Sequence, residues 1–304
     1  MFKDVKTPPI KEIIPDNNLN RVRLFIKRED QLHPIISGNK WRKLKYNLVA
    51  AKKAGQTTLL TFGGAYSNHI HAVAGAAKEY GFKSIGVIRG EEHLPLNPTL
   101  SDAREMGMEF HYMDRTTYRQ KHTKGVIDNF RKQFGEFYLI PEGGTNELAL
   151  KGASEIVEGI ENDYDYFCVA CGTAGTATGI ISGLNGKAEV MGFSVLKGDF
   201  HKQEIRNWLT IINKPKLKNW QVNIDYHFGG YAKFDLQLIN FINKFKSDFN
   251  IQLDPIYTGK MLYGVFDLIT QGYFPENSRV LTIHSGGLQG ITGFNQRFSN
   301  HIKT

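Results

Sequence analysis

TLLTFGGAYSNHIHAVAGAAKEYGFKSIGVI (residues 58–88) carries the reading of the fold. TLLTF (58–62) is an apolar run of strand length that ends in Gly63 and Gly64. Ile70, Val73, Ala74 and Ala77 then recur at helical spacing until Gly81, and SIGVI (84–88) follows as a second strand. Strand, helix and strand at this length make a unit that a right-handed parallel crossover can use.

The same alternation continues outward. EFHYM (109–113) and FYLIP (137–141) read as strands, followed by a helix from about Leu148, the strand YFCVA (166–170), a helix from about Thr176 and the strand EVMGF (189–193). Helical stretches follow around 234–247 and from Met261, then the strand VLTIH (280–284). Alternating strands and helices predict an α/β fold with mostly parallel sheets. Four strands end in glycine-rich turns: TLLTF-GG, YLIPE-GG, YFCVAC-GTAG and RVLTIH-SGG. The carboxyl ends of strands line the ligand crevice of open α/β sheets, so four such turns converging would outline one site. Any one of them alone would be an ordinary tight turn.

Bulk properties bound the function. A chain of 304 residues, 41% hydrophobic and 22% charged, can fold as one large or two moderate domains. Lys+Arg 38 against Asp+Glu 30 gives a formal charge of +8. The basic residues are scattered, with the densest cluster at Lys40, Arg42, Lys43 and Lys45, so the charge gives no support to a nucleic-acid role. MFKDVKTPPIKEI has no apolar segment of the kind a secretory signal needs. The uncharged stretch from Tyr166 to Gly186 suits a buried strand and turn better than a lipid-facing helix. A cytoplasmic protein with no membrane partner is expected. Cys168 and Cys171 have C-x-x-C spacing, but three residues apart on a strand they face opposite ways and read as buried thiols. His69 and His71 diverge on a helix and lack a third ligand, so no metal is expected.

Two segments carry candidate chemistry. GTAGTATG (172–179) leaves a strand and enters a helix, where free N–H groups, the helix dipole and the hydroxyls of Thr173 and Thr176 favour a phosphate. It is neither a nucleotide P-loop nor a dinucleotide G-x-G-x-x-G, and such turns also occur without ligands. In SGNKWRKLKYN (37–47), Lys40 precedes an amphipathic helix with Trp41, Leu44, Leu48 and Ala51 on one face. A cation at a helix head opposes the dipole. Lys40 either points into water or is a nucleophilic amine whose pKa is lowered by its surroundings.

IKREDQLHPIISGNKWRKLKY (26–46), TFGGAYSNHIHAVAGAA (61–77), IPEGGTNELALKG (140–152), CGTAGTATGIISGL (171–184), DPIYTGKMLYG (254–264) and IHSGG (283–287) resemble the 1-aminocyclopropane-1-carboxylate (ACC) deaminase and D-cysteine desulfhydrase family. The blocks occur in the family's order over nearly the whole chain, with 195–250 less distinctive. The resemblance implies pyridoxal 5′-phosphate (PLP), a small amino-acid substrate, the tryptophan-synthase-β fold (PLP fold type II) and a homodimer. It implies a larger PLP-binding domain of residues 1–42 and 150–304 and a smaller one of 43–149. Lys40 would be the Schiff-base lysine and the base that moves the Cα proton. Asn68 would hydrogen-bond the cofactor's phenolate oxygen, while Ser67, Asn68 and His69 would hold the substrate carboxylate. Thr173, Ala174, Gly175 and Thr176 would hold the phosphate. Tyr257 would lie against the pyridine ring and Tyr231 would face the substrate. Ser67 and Asn68 would otherwise be helix caps, and either tyrosine a core or surface residue.

The resemblance also bears on the reaction. ACC deaminases place a glutamate after the tyrosine of the DP-x-Y motif, beside the pyridine nitrogen. A carboxylate there keeps that nitrogen protonated and strengthens the electron sink, which a hydroxyl does not. This chain has Thr258 at that position and Ser285 in IHSGG, where desulfhydrase-like members place a hydroxyl. Opening a cyclopropane demands more carbanion stabilisation than expelling a thiolate. The expectation is therefore D-cysteine-desulfhydrase-like β-elimination, with ACC deamination as the alternative. A PLP-carrying or anion-binding module without turnover is the reading from another class.

Overall fold

The computed structural model describes residues 7–160, 164–299 and 301–304. In chain order the elements are β1 (Ile10–Ile13), β2 (Arg23–Lys27), α1 (Asn39–Lys53), β3 (Thr58–Gly63), α2 (Asn68–Tyr80), β4 (Lys83–Arg89), α3 (Pro98–Glu105), β5 (Met108–Met113), α4 (Arg115–Tyr118), α5 (Lys124–Phe134) and β6 (Tyr138–Ile140). There follow α6 (Glu147–Ser154), β7 (Tyr166–Cys171), α7 (Gly175–Leu184), β8 (Glu189–Ser194), α8 (Phe200–Ile211), β9 (Trp220–Asn223), α9 (Leu236–Phe249), α10 (Thr258–Thr270), β10 (Arg279–Ile283) and α11 (Gly290–Phe298).

Two sheets result. One has six strands in the order β1-β2-β10-β7-β8-β9, and the other four in the order β5-β4-β3-β6. All pairings are parallel except β1 with β2. Helices cover both faces of each sheet, as parallel strands with apolar residues on both sides require. On one face of the larger sheet Leu24, Met191 and Phe193 meet Ile242, Met261 and Val265 from α9 and α10. On the other, Phe167, Val169 and Leu281 meet Ile180 of α7 and Ile205 and Leu209 of α8. Cys168 and Cys171 fall into these two separate clusters, on opposite sides of β7. The smaller sheet packs Leu59 against α1 and α2 on one side, and Leu60 and Phe62 against Phe130 of α5 on the other.

β1, β2 and β9 were not expected from the sequence. β1 and β9 are four-residue edge strands, and three residues of β1 are exposed, so neither shows an apolar alternation. In β2 the apolar core Leu24-Phe25-Ile26 is framed by Arg23 and Lys27, which hide it.

The strand orders place a switch point in each sheet. The chain steps from β3 to β4 to β5 and then returns to put β6 on the other side of β3. It likewise steps from β7 to β8 to β9 and returns to put β10 on the other side of β7. A crevice opens outside the carboxyl ends of strands at such a reversal. The four strands flanking the two reversals are the four that end in glycine-rich turns.

Candidate active site

Those four turns line one cavity of about 1670 Å³: Gly64 after β3, Gly143 after β6, Gly172 and Thr173 after β7, and Ser285, Gly286 and Gly287 after β10. Lys40 enters it through a close approach that only glycine permits. Gly38 has φ +62°, and a Cβ there would lie 1.9 Å from the carbonyl oxygen of Ser285. The Asn39 N–H donates to that same carbonyl at 3.1 Å, fixing the start of α1 against the turn after β10. Three residues further on, Arg42 grips buried Glu29 with two hydrogen bonds of 3.0 and 3.2 Å. Lys40 thus sits on a doubly anchored first turn, and burial lowers its pKa to about 8.

At the 172–176 turn the groups suit an anion. No side chain caps α7, whose N-terminal N–H groups follow Thr173 and Ala174. Thr173 and Thr176 line the cavity, and Asn39 Nδ2 donates to Thr176 Oγ1 at 2.8 Å, tying this turn to the lysine helix. Ala174 and Gly175 are buried and do not line the cavity, so only their backbone could serve. Buried Lys43 reaches the same place from α1. Its ammonium donates to Gly143 O at 2.5 Å and Thr145 Oγ1 at 2.8 Å and stands 3.5 Å from Thr173 Oγ1. A Cβ on Gly175 would lie 3.2 Å from it. Burial, then the neighbouring Lys40 charge, holds its pKa well below the usual lysine value. Among the described residues no carboxylate forms an ion pair with Lys43.

The head of α2 forms the next wall. Ser67 caps the helix, its oxygen accepting the N–H groups of His69 and Ile70 at 3.2 and 3.3 Å, which leaves its own proton to donate. Asn68 and His69 also line the cavity. Thr61 donates its proton to Ile140 O at 2.8 Å, so His69 Nε2, 2.8 Å from the Thr61 oxygen, must be the donor to it. His69 Nδ1 finds no hydrogen-bond partner among the described residues. Burial, then Lys40 and Lys43, keeps the ring well below the usual imidazole range. The ring N–H expected for a substrate carboxylate is occupied by Thr61 in this structure.

Tyr257 packs edge-on to Tyr231, with centroids 6.2 Å apart, and both line the cavity. A Cβ on Gly172 would lie 2.7 Å from the Tyr257 ring. Beyond them Ser285 faces the cavity, but Thr258 does not. Its hydroxyl donates to Asp254 Oδ1 at 2.7 Å and accepts the Asp254 N–H at 3.1 Å, and both residues are buried. Asp254 also takes the N–H groups of Ile256, Tyr257 and Thr258. Thr258 holds the motif position, but the helix start rotates its side chain into the Asp254 cap.

The sequence reading missed Lys43, Asn39, Asp254 and Gln289. Lys43 and Asn39 stand within the GNKWRKL motif, and Asp254 opens DPIYTGK, but only their contacts across the chain show what they do.

An open α/β fold whose strand-end crevice gathers a lysine amine at a helix head and an uncapped glycine turn is suited to an anionic ligand. Residues 6–286 match the model of the pyridoxal-phosphate dependent enzyme family, and the chain belongs to that family. It is 32% identical to a putative ACC deaminase of Pyrococcus horikoshii over 88% of this chain and 85% of that one. It is 32% identical to the mitochondrial bifunctional D-cysteine desulfhydrase/ACC deaminase of Arabidopsis thaliana, over 90% and 74%, and 27% identical to a D-cysteine desulfhydrase of Klebsiella pneumoniae, over 95% and 94%. A solved ACC deaminase homologue superposes with TM-score 0.79 at 29% identity, covering 96% of this chain and 93% of that one. O-ureido-L-serine synthase shares the fold, with TM-score 0.68 at 14% identity over 94% and 90%. The protein is a PLP-dependent enzyme of fold type II. Among the described residues no helix is long and apolar enough to cross a membrane.

The cavity fits PLP on its own chemistry. The uncapped start of α7 and the hydroxyls of Thr173 and Thr176 offer a phosphate its donors, with Lys43 buried behind Thr173, and Lys40 stands within the same cavity as an amine of lowered pKa.

Proposed function

We propose that the chain is a D-cysteine-desulfhydrase-like lyase that eliminates a β-substituent from a small amino acid, giving pyruvate, ammonia and, from D-cysteine, sulfide. The observation that carries this reading lies around Ser285. The two acids whose turns adjoin it are both engaged: Arg28 holds Asp30 with bonds of 2.8 and 2.7 Å, and Asp254 is filled by its own loop. The Ser285 hydroxyl is then the group offered to a pyridine nitrogen, so the ring stays nearer neutral.

PLP, when bound, supplies the electron sink for the charge left as Cα loses its proton. Thr173 and Thr176, with the N–H groups of Ala174 and Gly175, would hold its phosphate, Lys43 would act on it from behind Thr173, and Asn68 would bind its phenolate oxygen. Tyr257 would cover the ring. Ser67 would donate to the substrate carboxylate, and Tyr231 would face the substrate. Lys40, neutral in a useful fraction near pH 7–8 because of burial, would take the Cα proton; the Cβ–S bond then breaks with its electron pair leaving on sulfur. We also propose the 1–42 plus 150–304 and 43–149 domain division, a homodimer and a cytoplasmic location, which rest on the family resemblance.

A substrate panel tests the reading. Keto acid from D-cysteine or β-chloro-D-alanine should greatly exceed 2-oxobutyrate from ACC. Efficient ACC turnover with none from the D-amino acids would replace elimination by ring opening, and no turnover of any would leave a carrier.

A further inference from the structure

Gln289 lies in the turn between β10 and α11 and lines the cavity. Its side-chain amide crosses from the larger sheet's layer to the smaller one's. Nε2 donates to Asn68 Oδ1, at the first position of α2, and Oε1 accepts from Thr99 Oγ1 of α3 at 3.1 Å. Thr99 fixes which way the amide faces. Its hydroxyl is fully buried and Gln289 Oε1 takes its proton, so turning the amide over would bring an N–H against that hydroxyl and take away its acceptor. With its oxygen committed to Thr99, Gln289 shows Asn68 only N–H, and Asn68 answers with Oδ1. The Asn68 Nδ2 group is thereby turned the other way, to the Gly287 side of the cavity, where a Cβ on that glycine would lie 3.0 Å from it.

We propose that Gln289 is a positioning residue that fixes the Asn68 amide so that its N–H, rather than its oxygen, meets the cofactor's phenolate oxygen. This rests on the proposed placing of Asn68. A donor at that oxygen favours its ionised form, and an acceptor there would disfavour it. Thr99 takes part at one remove, by holding Gln289 in the sense that makes it a donor. The same two bonds join α2 and α3 to the turn after β10, so the orientation of Asn68 depends on both layers being in register.

The test is a spectrophotometric pH titration of the PLP-loaded protein, with borohydride reduction and peptide mapping to show where the cofactor is attached. In Gln289→Glu the carboxylate offers no N–H and draws Asn68 Nδ2 to itself. The titration midpoint of the bound cofactor should rise by about one pH unit, the equivalent of one hydrogen bond to a charged oxygen. Gln289→Met releases Asn68 without drawing it, so a smaller rise is expected. Asn68→Ala should shift the midpoint at least as far as Gln289→Glu. A wild-type midpoint in Gln289→Glu while Asn68→Ala shifts it overturns the role of Gln289. Should Gln289→Glu fail to fold, an unshifted Gln289→Met does the same. An unshifted Asn68→Ala with label on Lys40 overturns the placing of Asn68 and this inference with it, whereas label on another lysine overturns the proposed function itself.

Discussion

Among the described residues, a buried lysine arrives at the 172–176 end of the cleft with no acid to pair it, and at the 284–287 end two acids arrive already held by donors of the fold. Lys43 is surrounded by Gly143 O, Thr145 and Thr173, which are neutral. Asp30 is gripped by Arg28, and Asp254 by three N–H groups and the Thr258 hydroxyl. Burial without a counterion disfavours the charged form of such an amine unless an anion joins it. An acid held by donors of the fold contributes to the fold: Asp254 takes four donors on its two oxygens, and Asp30, at the cavity wall, is paired with the Arg28 guanidinium. The contrast teaches that one end is prepared for the negative charge of a phosphate, and the other is kept from imposing charge on the ring.

Lys40 stands between the two ends, and its removal should have the largest effect. Lys40→Ala should abolish turnover, and borohydride should no longer fix PLP on the peptide that carries residue 40. Label that persists on another lysine would break the whole comparison. The cofactor-free protein gives an independent check. Its folded-state pKa of about 8 stands against an ordinary 10.5, so between those values the unfolded chain carries a proton that the folded chain lacks. Stability from this group therefore rises with pH across that window. In urea unfolding of the cofactor-free protein, Lys40→Met should lose that part of the slope.

Lys43→Met should be the next largest. Losing a hydrogen bond to a charged group costs roughly 1.5–3 kcal/mol, so PLP affinity should fall by about ten- to a hundred-fold. The cofactor-free variant should change little in stability at pH 7, because Gly143 O and Thr145 Oγ1 lose a donor while a buried amine is replaced by an apolar chain of similar length. A less stable variant with unchanged PLP affinity would make Lys43 a structural tie between α1 and the 143–145 turn. Thr176→Val should weaken PLP about ten-fold, since it also releases Asn39 Nδ2. Equilibrium binding of PLP to the refolded cofactor-free variants separates the two effects.

How far the sequence could be read follows the same contrast. Lys40 was legible because a lysine at a helix head is locally odd and stands in a distinctive motif, and the 172–176 turn because strand, glycines and helix are contiguous. The four glycine turns could be read as one site because strand ends gather at switch points. Lys43 was not legible: within RKLK it looks like one more solvated cation, and its partners lie a hundred residues away. Gln289 shows nothing in GGLQG until α3 is folded against it. Thr258 was legible as a motif position but not as a direction, since Asp254 four residues earlier decides which way the first turn of α10 faces.

The Asp254 cap sets the smallest expected effect on the reaction and gives the sharpest test of the Ser285 end. Ser285 and Thr258 both carry hydroxyls near the same part of the chain, but only Ser285 faces the cavity. Ser285→Ala should slow keto-acid release from D-cysteine while leaving PLP attached to Lys40, because only the contact proposed for the pyridine nitrogen is lost. Thr258→Val keeps the shape of its side chain and removes the donor to Asp254 Oδ1, so it should lower stability by about 1–3 kcal/mol. It should leave the ratio of D-cysteine to ACC turnover at its wild-type value, measured at a temperature where both proteins are folded. Thr258→Glu should likewise disrupt the Asp254 turn rather than convert the enzyme to ring opening, since a longer acid at a fully buried position would meet the Asp254 carboxylate first. A Thr258→Glu variant that folds normally and gains ACC turnover would show that the turn can open towards the ring. It would then make the difference between the two ends one of side-chain choice at residue 258 rather than of the Asp254 cap.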